Sequence, residues 1–351
     1  MAITLTSLRD LLGLPFDTIV DVRAPAEFAE DHVPGAINLP VLNDAERARI
    51  GTVYKQVNPF TARKLGAALV ARNAAAHLEG PLAGMPGGWR PLIYCWRGGQ
   101  RSGSFASILS QIGWRVETVA GGYKSYRGLV VAGLQQALAS PVVVLDGNTG
   151  TAKTEVLALL AGRGMQVIDL EGLANHRGSL FGGRGGQPSQ KSFEGALAGV
   201  MARLDPGRPV VVEAESSKVG DRVVPAALWA AMGAAPRVSI SAGLEERALY
   251  LCRAYGDVIA DPVELGRILE RLRPSHAGEV IEGWLGMAAA GAYQALAADL
   301  MARHYDPRYL KSRSRREGLR VEIPATDLSP AGLEGLALQV ERAVLAVLGA
   351  A

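Results

Sequence analysis

Residues 142–160 read VVVLDGNTGTAKTEVLALL, and this stretch decides how the chain folds. The valine-rich run predicts a buried strand, and the run of alanine and leucine after Lys153 predicts a helix. The residues between them fit the pattern G-x-x-x-x-G-K-[ST], with Gly147, Lys153 and Thr154 in place and Ala152 where a second glycine is usual. The order strand, loop, helix therefore predicts a phosphate-binding loop in an α/β domain.

The chemistry of this loop follows from its backbone and two side chains. The amide N–H groups cradle phosphate oxygens, the Lys153 ammonium reaches a terminal phosphate, and the Thr154 hydroxyl can hold a metal ion such as Mg²⁺. Gly150 keeps the loop flexible. Because a Cβ at Ala152 alters the backbone path, we expect binding of phosphate or diphosphate rather than tight binding of an ordinary nucleotide. The alternative is a chance glycine-rich turn.

Acidic residues follow the next predicted strands, in MQVIDLEG (165–172) and RPVVVEAES (208–216). Asp169, Glu213 and Glu215 stand at strand ends, which point into the ligand crevice of a parallel sheet. We expect them to hold Mg²⁺ through water or to act as acid or base. The alternative is that they are solvated strand ends paired with arginine. Arg177, in the glycine-rich segment NHRGSLFGG (175–183), is a candidate ligand of diphosphate or of RNA phosphate.

A second anion-binding loop is predicted at YCWRGGQRS (94–102), between an apolar strand and a helix. A cysteine at this place lies among convergent backbone N–H groups, which stabilise its thiolate. The positive charges of Arg97 and Arg101 also stabilise the thiolate. Cys95 is therefore the predicted nucleophile, and the alternative is a buried free cysteine. Cys252, in RALYLCRAY on a predicted helix, is expected to be structural.

The organisation of the whole chain fits two α/β domains. The 351 residues exceed the ordinary size of one domain of roughly 150 residues. Strands are predicted at 18–23 and 91–95, and α/β alternation restarts at Pro141. We place one domain at 1–130, a connecting helix at 131–140 and a second domain at 141–351, whose part beyond about residue 240 is mostly helical.

Composition limits where the protein works. Two cysteines in 351 residues exclude a disulfide framework and favour a reducing cytosol. The sequence indicates no signal peptide and no apolar run of about 18 residues, so we expect a cytoplasmic protein without a membrane partner. The net charge of +3 does not by itself indicate a nucleic-acid binder.

A basic segment near the C-terminus changes that last expectation. Between residues 301 and 320, seven Lys or Arg residues stand against two acidic ones. Arginine interleaved with tyrosine suits backbone phosphates and stacked bases of RNA, whereas the alternative is an ordinary solvated surface. The predicted RNA-binding residues are Arg303, Tyr305, Arg308, Tyr309, Lys311, Arg313, Arg315 and Arg316.

Two resemblances sharpen these predictions. DVRAPAEF (21–28) and DHVPGAINLP (31–40) resemble the N-terminal signature of rhodanese domains, with Cys95 at the position of their sulfur-carrying cysteine. With GGYKSYR, GNTGTAKT, NHRGS and YDPRY added in consistent order, the chain resembles the tRNA 2-selenouridine synthase family. The fold implied is an N-terminal rhodanese-like α/β domain followed by a P-loop NTPase-like α/β domain with a mostly helical C-terminal part.

The resemblance also implies a reaction. Family members replace sulfur by selenium in 2-thiouridine at the wobble position of the tRNA anticodon loop. Selenophosphate, supplied by a selenophosphate-producing enzyme, donates the selenium. Geranyl diphosphate first gives S-geranyl-2-thiouridine, whose alkylated sulfur then leaves. These are co-substrates, and no tightly bound cofactor is implied. We expect the phosphate loop to hold the geranyl diphosphate and Cys95 to serve the selenium step.

Two other functions stay open at this point. One is a P-loop kinase or NTPase with a regulatory rhodanese domain, which would turn over ATP. The other is a non-catalytic sulfur or selenium carrier that binds RNA and serves another enzyme. The first predicts stoichiometric ATP turnover, and the second predicts loading of Cys95 without a modified nucleoside.

Overall fold

The computed structural model describes residues 2–183, 185–313 and 318–349. Its strands are β1 (Ala2–Ile3), β2 (Thr18–Asp21), β3 (Ile37–Asn38), β4 (Pro91–Tyr94), β5 (Glu117–Val119), β6 (Val142–Gly147), β7 (Gln166–Ile168), β8 (Val210–Glu213), β9 (Lys218–Val219), β10 (Arg222–Val223), β11 (Arg237–Ala242) and β12 (Arg320–Ala325).

The α-helices account for most of the remaining structure. They are α1 (Asp10–Gly13), α2 (Pro25–Glu30), α3 (Asp44–Gln56), α4 (Pro59–Glu79), α5 (Gln100–Ile112), α6 (Gly122–Gln135), α7 (Lys153–Gly162), α8 (Leu170–Ala174), α9 (Gln190–Arg203), α10 (Ala226–Ala234), α11 (Leu244–Ala254), α12 (Gly256–Ile259), α13 (Pro262–Glu270), α14 (Gly278–Ala289), α15 (Tyr293–Leu300), α16 (Asp306–Arg313) and α17 (Pro330–Gly349). A 3₁₀ turn (Arg273–Ser275) and a π-helical turn (Met301–Tyr305) complete the helical part. No helix within the described ranges is long and apolar enough to cross a membrane.

The chain forms two compact units, and each contains one parallel sheet. The first unit comprises Met1–Gln136 with Pro188–Arg203, and its sheet has the order β1-β5-β4-β2-β3. The second comprises Ala137–Gln187 with Leu204–Ala351, and its sheet has the order β12-β11-β6-β8-β7. The prediction of two α/β domains is therefore confirmed, although β11 and β12 were not foreseen as strands.

Helix α9 interrupts the sequence of the second unit but belongs to the first unit. Helix α9 packs against α6, where the Arg127 guanidinium donates to the Lys191 carbonyl at 3.1 Å. Phe193 and Leu197 of α9 are fully buried. A Cβ on Gly195 would lie 2.7 Å from the Tyr126 hydroxyl, so the close approach of α9 requires glycine there. The prediction of one continuous second domain from residue 141 onward therefore does not include the return of residues 188–203 to the first unit.

The connecting helix predicted over 131–140 begins and ends earlier than expected, and only 131–135 of that range are helical. Helix α6 begins at Gly122 and ends at Gln135, and Gln136 is extended. The reason is an apolar stripe of Tyr123, Tyr126, Val130 and Leu134 at helical spacing, all of which are buried.

Candidate active sites

Cys95 lies at the end of β4 in the first unit and is 3% exposed. The Gly99 N–H and the Ser102 hydroxyl each donate to its sulfur at 3.2 Å. Burial raises the pKa of the Cys95 thiol, but the hydrogen bonds from Ser102, Gly99 and the Arg97 backbone outweigh burial and lower the pKa below its ordinary value. The loop therefore stabilises a thiolate, as its sequence predicts.

The segment GGYKSYR (121–127) packs against the cysteine loop and hydrogen-bonds to it. The Cys95 carbonyl accepts from the Tyr123 N–H at 2.8 Å, and the Trp96 carbonyl accepts from the Lys124 N–H at 3.0 Å. Gly122 has φ of +59°, and a Cβ there would lie 2.2 Å from the Cys95 carbonyl oxygen. The Tyr123 ring stacks on Trp96 at 5.2 Å between centroids. Any larger residue at Gly122 would therefore displace the cysteine loop.

The two arginines of the loop differ in their surroundings. Arg97 is exposed. Arg101 donates to Glu27 at 2.9 Å, and Arg47 donates to the same carboxylate oxygen at 2.8 Å. Burial raises the pKa of the Glu27 carboxyl, but the hydrogen bond from Arg101 and the charge of that arginine lower it by more. The pKa of Glu27 therefore lies below its ordinary value. Arg101 is thus anchored by an acidic partner, whereas Arg97 faces solvent beside the cysteine.

The phosphate loop follows β6 in the second unit. Gly150 has φ of +85°, and Ala152 also adopts the left-handed region, with φ of +57°. Ala152 therefore has the backbone conformation that a glycine would adopt there, despite its Cβ. The Lys153 ammonium donates to the Gly147 carbonyl at 2.9 Å.

Lys153 is partly buried, among groups that favour its charge. Burial lowers the pKa of Lys153, but Tyr309 and the carboxylates of Glu171, Glu215 and Asp146 raise it above its ordinary value. The Lys153 nitrogen also lies 5.8 Å from the centre of the Tyr309 ring. A cation held this way beside backbone amides is suited to an anionic ligand.

Carboxylates form the side of the pocket opposite the loop. The Thr154 hydroxyl donates to Glu171 at 2.8 Å, and the Glu171 N–H donates to Glu213 at 2.6 Å. Burial, followed by the charge of Glu171, raises the pKa of Glu213 well above its ordinary value. The same two causes raise the pKa of Glu215 to about 8, against the opposing charge of Lys153. Because a protonated carboxyl carries no charge, Glu213 and Glu215 in that form would not repel a neighbouring phosphate.

Asp169 has a different place from the one predicted. Its side chain accepts from the Gly172 N–H at 2.7 Å and caps the N-terminus of α8. It does not line the phosphate pocket, whereas Glu171 and Glu215 do. Glu171, two residues further on, accepts a hydrogen bond from Thr154.

Arg177 lines the phosphate pocket, as a diphosphate ligand must. Its Nη2 donates to both oxygens of Asp257 at 3.0 Å, and its guanidinium lies 4.7 Å from the centre of the Tyr255 ring. Its Nη1 is buried and makes no hydrogen bond to the described residues. Gly178 beside it has φ of +68°. One N–H group of Arg177 is therefore available to a ligand.

The basic C-terminal region contributes to this pocket as well as to the surface. Tyr305, Arg308 and Tyr309 line the phosphate pocket, and Arg308 also contacts His304 at 2.9 Å. Arg303 pairs with Asp299, and Lys311 is exposed. The side chain of Arg313 and all of Arg315 and Arg316 lie outside the described residues. Part of the segment assigned to RNA is thus a wall of the anion site.

An ion pair that the sequence did not reveal joins this wall to the loop. Arg247 donates to Asp306 through both terminal nitrogens, at 2.9 and 2.8 Å, and to the Thr149 carbonyl at 3.2 Å. The Asn148 side chain donates to Asp306 at 2.9 Å. The sequence signal for this ion pair is the pattern YDPRY (305–309), in which Asp306 stands between Tyr305 and Arg308, two residues that line the pocket.

Comparisons with known proteins cover nearly the whole chain. Residues 4–129 match the rhodanese-like domain, and residues 140–264 match the tRNA 2-selenouridine synthase AAA domain. A protein of Cupriavidus necator is 38% identical over 85% of this chain and 89% of its own length. Relatives from Chromohalobacter salexigens (35%; 86% and 90%) and Pseudomonas fluorescens (35%; 92% and 95%) cover similar shares. All three are named tRNA 2-selenouridine synthase, and this chain belongs to the tRNA 2-selenouridine synthase family.

Proposed function

We propose that this protein replaces sulfur by selenium in wobble 2-thiouridine of tRNA, by way of an S-geranyl intermediate. Membership in the tRNA 2-selenouridine synthase family supports tRNA selenation. The observation that supports a two-step route is that the chain has two loops, one in each unit, whose groups are suited to anionic ligands. One is built around the Cys95 thiol, and the other around Lys153.

The phosphate loop is proposed to bind geranyl diphosphate. Gly147 and Gly150 let the backbone approach the phosphates, Lys153 and Thr154 contact their oxygens, and the buried Nη1 of Arg177 adds a donor. In the first step the thiocarbonyl sulfur attacks C1 of the geranyl group. The S–C1 bond forms, the C1–O bond breaks, and diphosphate leaves with the bonding electron pair. The N3–H proton of the base is released to solvent, which leaves the neutral S-geranyl base.

Cys95 is proposed to serve the second step. Selenium of selenophosphate attacks C2 of the pyrimidine, the C2–Se bond forms, and the C2–S bond breaks. Geranyl thiol leaves after taking up a proton, and water cleaves the P–Se bond to release phosphate. The Cys95 thiolate, with Arg97 and Arg101 beside it, would assist this attack.

The residues near Thr154 fit a magnesium ion that keeps most of its water. No group of three or more His, Cys, Asp or Glu suited to a metal occurs in the described part of the chain. Magnesium bound with phosphate needs only one or two protein oxygens, and Thr154 and Glu171 offer them 2.8 Å apart. Such an ion would neutralise charge on the leaving diphosphate, while Glu213 and Glu215 would hold protons.

The proposed partners follow from this reaction. The tRNA anticodon loop would use the exposed basic side chains Arg303 and Lys311, together with Arg313, Arg315 and Arg316. Selenophosphate would come from the enzyme that produces it, so the reaction belongs in the cytoplasm with tRNA. No membrane partner is required.

Reconstitution from purified components tests the proposal. The protein is incubated with 2-thiouridine tRNA, geranyl diphosphate and selenophosphate, each is omitted in turn, and nucleosides are identified by mass spectrometry. We expect S-geranyl-2-thiouridine without selenophosphate and 2-selenouridine with all components. ATP turnover stimulated by tRNA, without either product, would favour a kinase or NTPase. Loading of Cys95 with no modified nucleoside would favour a carrier.

A further inference from the structure

The second unit contains an apolar cavity that no step of the proposed reaction has used. It lies among α11, α12, α13 and α15, and its wall includes Phe181, Cys252, Val258, Leu265, Leu296 and Ala297. Leu265 and Leu296 belong to the helical core, at 4% exposure each. An apolar cavity of this kind excludes polar ligand groups, because they would lose their hydrogen bonds to water.

The cavity adjoins the phosphate pocket. Thr149, Ser179, Leu251, Tyr255 and Tyr305 line both spaces. Thr149 belongs to the phosphate loop itself, so the cavity begins beside the place where the phosphates of a ligand would lie.

Apart from Tyr293 and the Cys252 thiol, the polar side chains of the cavity lie on the rim that it shares with the phosphate pocket. The hydroxyls of Ser179 and Tyr255 lie 3.1 Å apart, and the Arg177 guanidinium packs over the Tyr255 ring. Lys153 and Arg177 line the phosphate pocket but not the cavity. Charge at one end and hydrocarbon walls at the other match an amphiphilic ligand, with an anionic head and an apolar tail.

We propose that this cavity holds the hydrocarbon chain of an allylic diphosphate and that its wall selects the chain length. The inference rests on the proposed function, in which the phosphate loop binds geranyl diphosphate. It adds where the chain lies and which residues measure it. A nucleotide in the loop would leave the cavity unused, because the base and sugar carry polar groups that these walls cannot satisfy.

Cys252 provides a readout that does not depend on catalysis. In a Cys95→Ser variant Cys252 is the sole thiol, and it lies on the cavity wall. Burial raises the pKa of Cys252, so its alkylation by iodoacetamide is slow but measurable above neutral pH. Saturating geranyl S-thiolodiphosphate, which resists transfer, should slow alkylation about tenfold or more. Inorganic diphosphate at saturation should leave the rate within about twofold.

Chain-length selection provides a second readout. Ala297→Phe fills the cavity from α15, whereas Ala295→Phe places the same ring on an exposed position of the same helix. We expect Ala297→Phe to lower kcat/KM for geranyl diphosphate about tenfold or more, relative to dimethylallyl diphosphate, because the longer chain loses its apolar contacts. Ala295→Phe should keep the wild-type ratio.

The outcomes separate this inference from the function on which it rests. If the geranyl analogue binds but Cys252 stays equally reactive, or if diphosphate alone protects it as well, the cavity is not the chain's site and the inference is wrong. An unchanged chain-length ratio in Ala297→Phe would overturn it too. In each of these cases geranyl diphosphate remains the donor. If the analogue does not bind at all, the donor assignment falls and the cavity assignment with it.

Discussion

Arg247 and Asp306 form a two-point ion pair, with nitrogen–oxygen distances of 2.9 and 2.8 Å. They lie 59 residues apart in sequence. Arg247 is on α11 and Asp306 begins α16, and both hold the phosphate loop, through the Thr149 carbonyl and the Asn148 side chain. The pair thus fixes the loop against the helix that supplies Tyr309.

Asp306→Asn should weaken both the fold and the anion site. Removing one partner leaves the Arg247 charge buried, which costs about 3–5 kcal/mol in a fully buried pair. Because Asp306 is 21% exposed, we expect the free energy of unfolding to fall by roughly 2 kcal/mol. Affinity for diphosphate should fall about tenfold, measured by calorimetry. Glu264→Gln, which removes the exposed Arg267–Glu264 pair, should change stability by less than about 0.5 kcal/mol. Equal effects of the two substitutions would contradict this role.

Gly178→Ala should damage the carboxylate side of the pocket. Gly178 has φ of +68°, and a Cβ there would lie 2.6 Å from Glu171 and 2.7 Å from Glu215. The left-handed conformation alone costs an alanine about 1–2 kcal/mol. We expect diphosphate affinity to fall about tenfold or more. The matched control is Gly186→Ala, where a Cβ meets nothing within 4 Å. Wild-type affinity in Gly178→Ala would show that the carboxylates can move freely.

Ser102→Ala should make Cys95 less reactive near neutral pH. The variant loses the hydroxyl that donates to the sulfur at 3.2 Å, so the pKa of the Cys95 thiol should rise. In a Cys252→Ser background, the pH profile of iodoacetamide alkylation reports this pKa, and the rate at neutral pH should fall several-fold. Ser104→Ala, at an exposed position on the same helix, serves as the control. A profile that does not move would mean that the Ser102 hydroxyl does not stabilise the thiolate.

Glu215 should make stability depend on pH. Burial raises the pKa of Glu215 from 4.5 to about 8, so the folded protein binds this proton more tightly than the unfolded chain does. The stabilisation is complete below about pH 4.5 and is lost as the pH rises through about 8. Glu215→Gln should therefore flatten the fall in unfolding free energy between about pH 5 and 8, measured by urea denaturation. Glu334→Gln, at an exposed site, should retain the wild-type slope. A slope unchanged in Glu215→Gln would assign the proton elsewhere.

Local patterns predicted much of this architecture. The strand and helix around Lys153, and the loop after Cys95, depend on residues adjacent in sequence, so periodicity and glycine placement suffice to locate them. Asp169 was misassigned to the pocket because a strand-end carboxylate and a helix cap have the same sequence position. Only the geometry of α8 distinguishes them.

Features that depend on distant residues could not be predicted. Nothing in the sequence of α9 indicates that it packs on α6, since its apolar spacing fits any partner. Tyr305 and Tyr309 look like RNA-stacking residues until the Arg247–Asp306 pair orients their helix toward the phosphate loop. The apolar cavity likewise arises from helices far apart in sequence.

The most direct test separates the two half-reactions in two variants. Lys153→Ala should lose conversion of 2-thiouridine tRNA to the S-geranyl form yet still convert pre-geranylated tRNA to 2-selenouridine. Cys95→Ala should show the opposite pattern, with both nucleosides quantified by mass spectrometry. Geranylation at the wild-type rate in Lys153→Ala, or selenation of geranylated tRNA at the wild-type rate in Cys95→Ala, would contradict the assignment of the two sites.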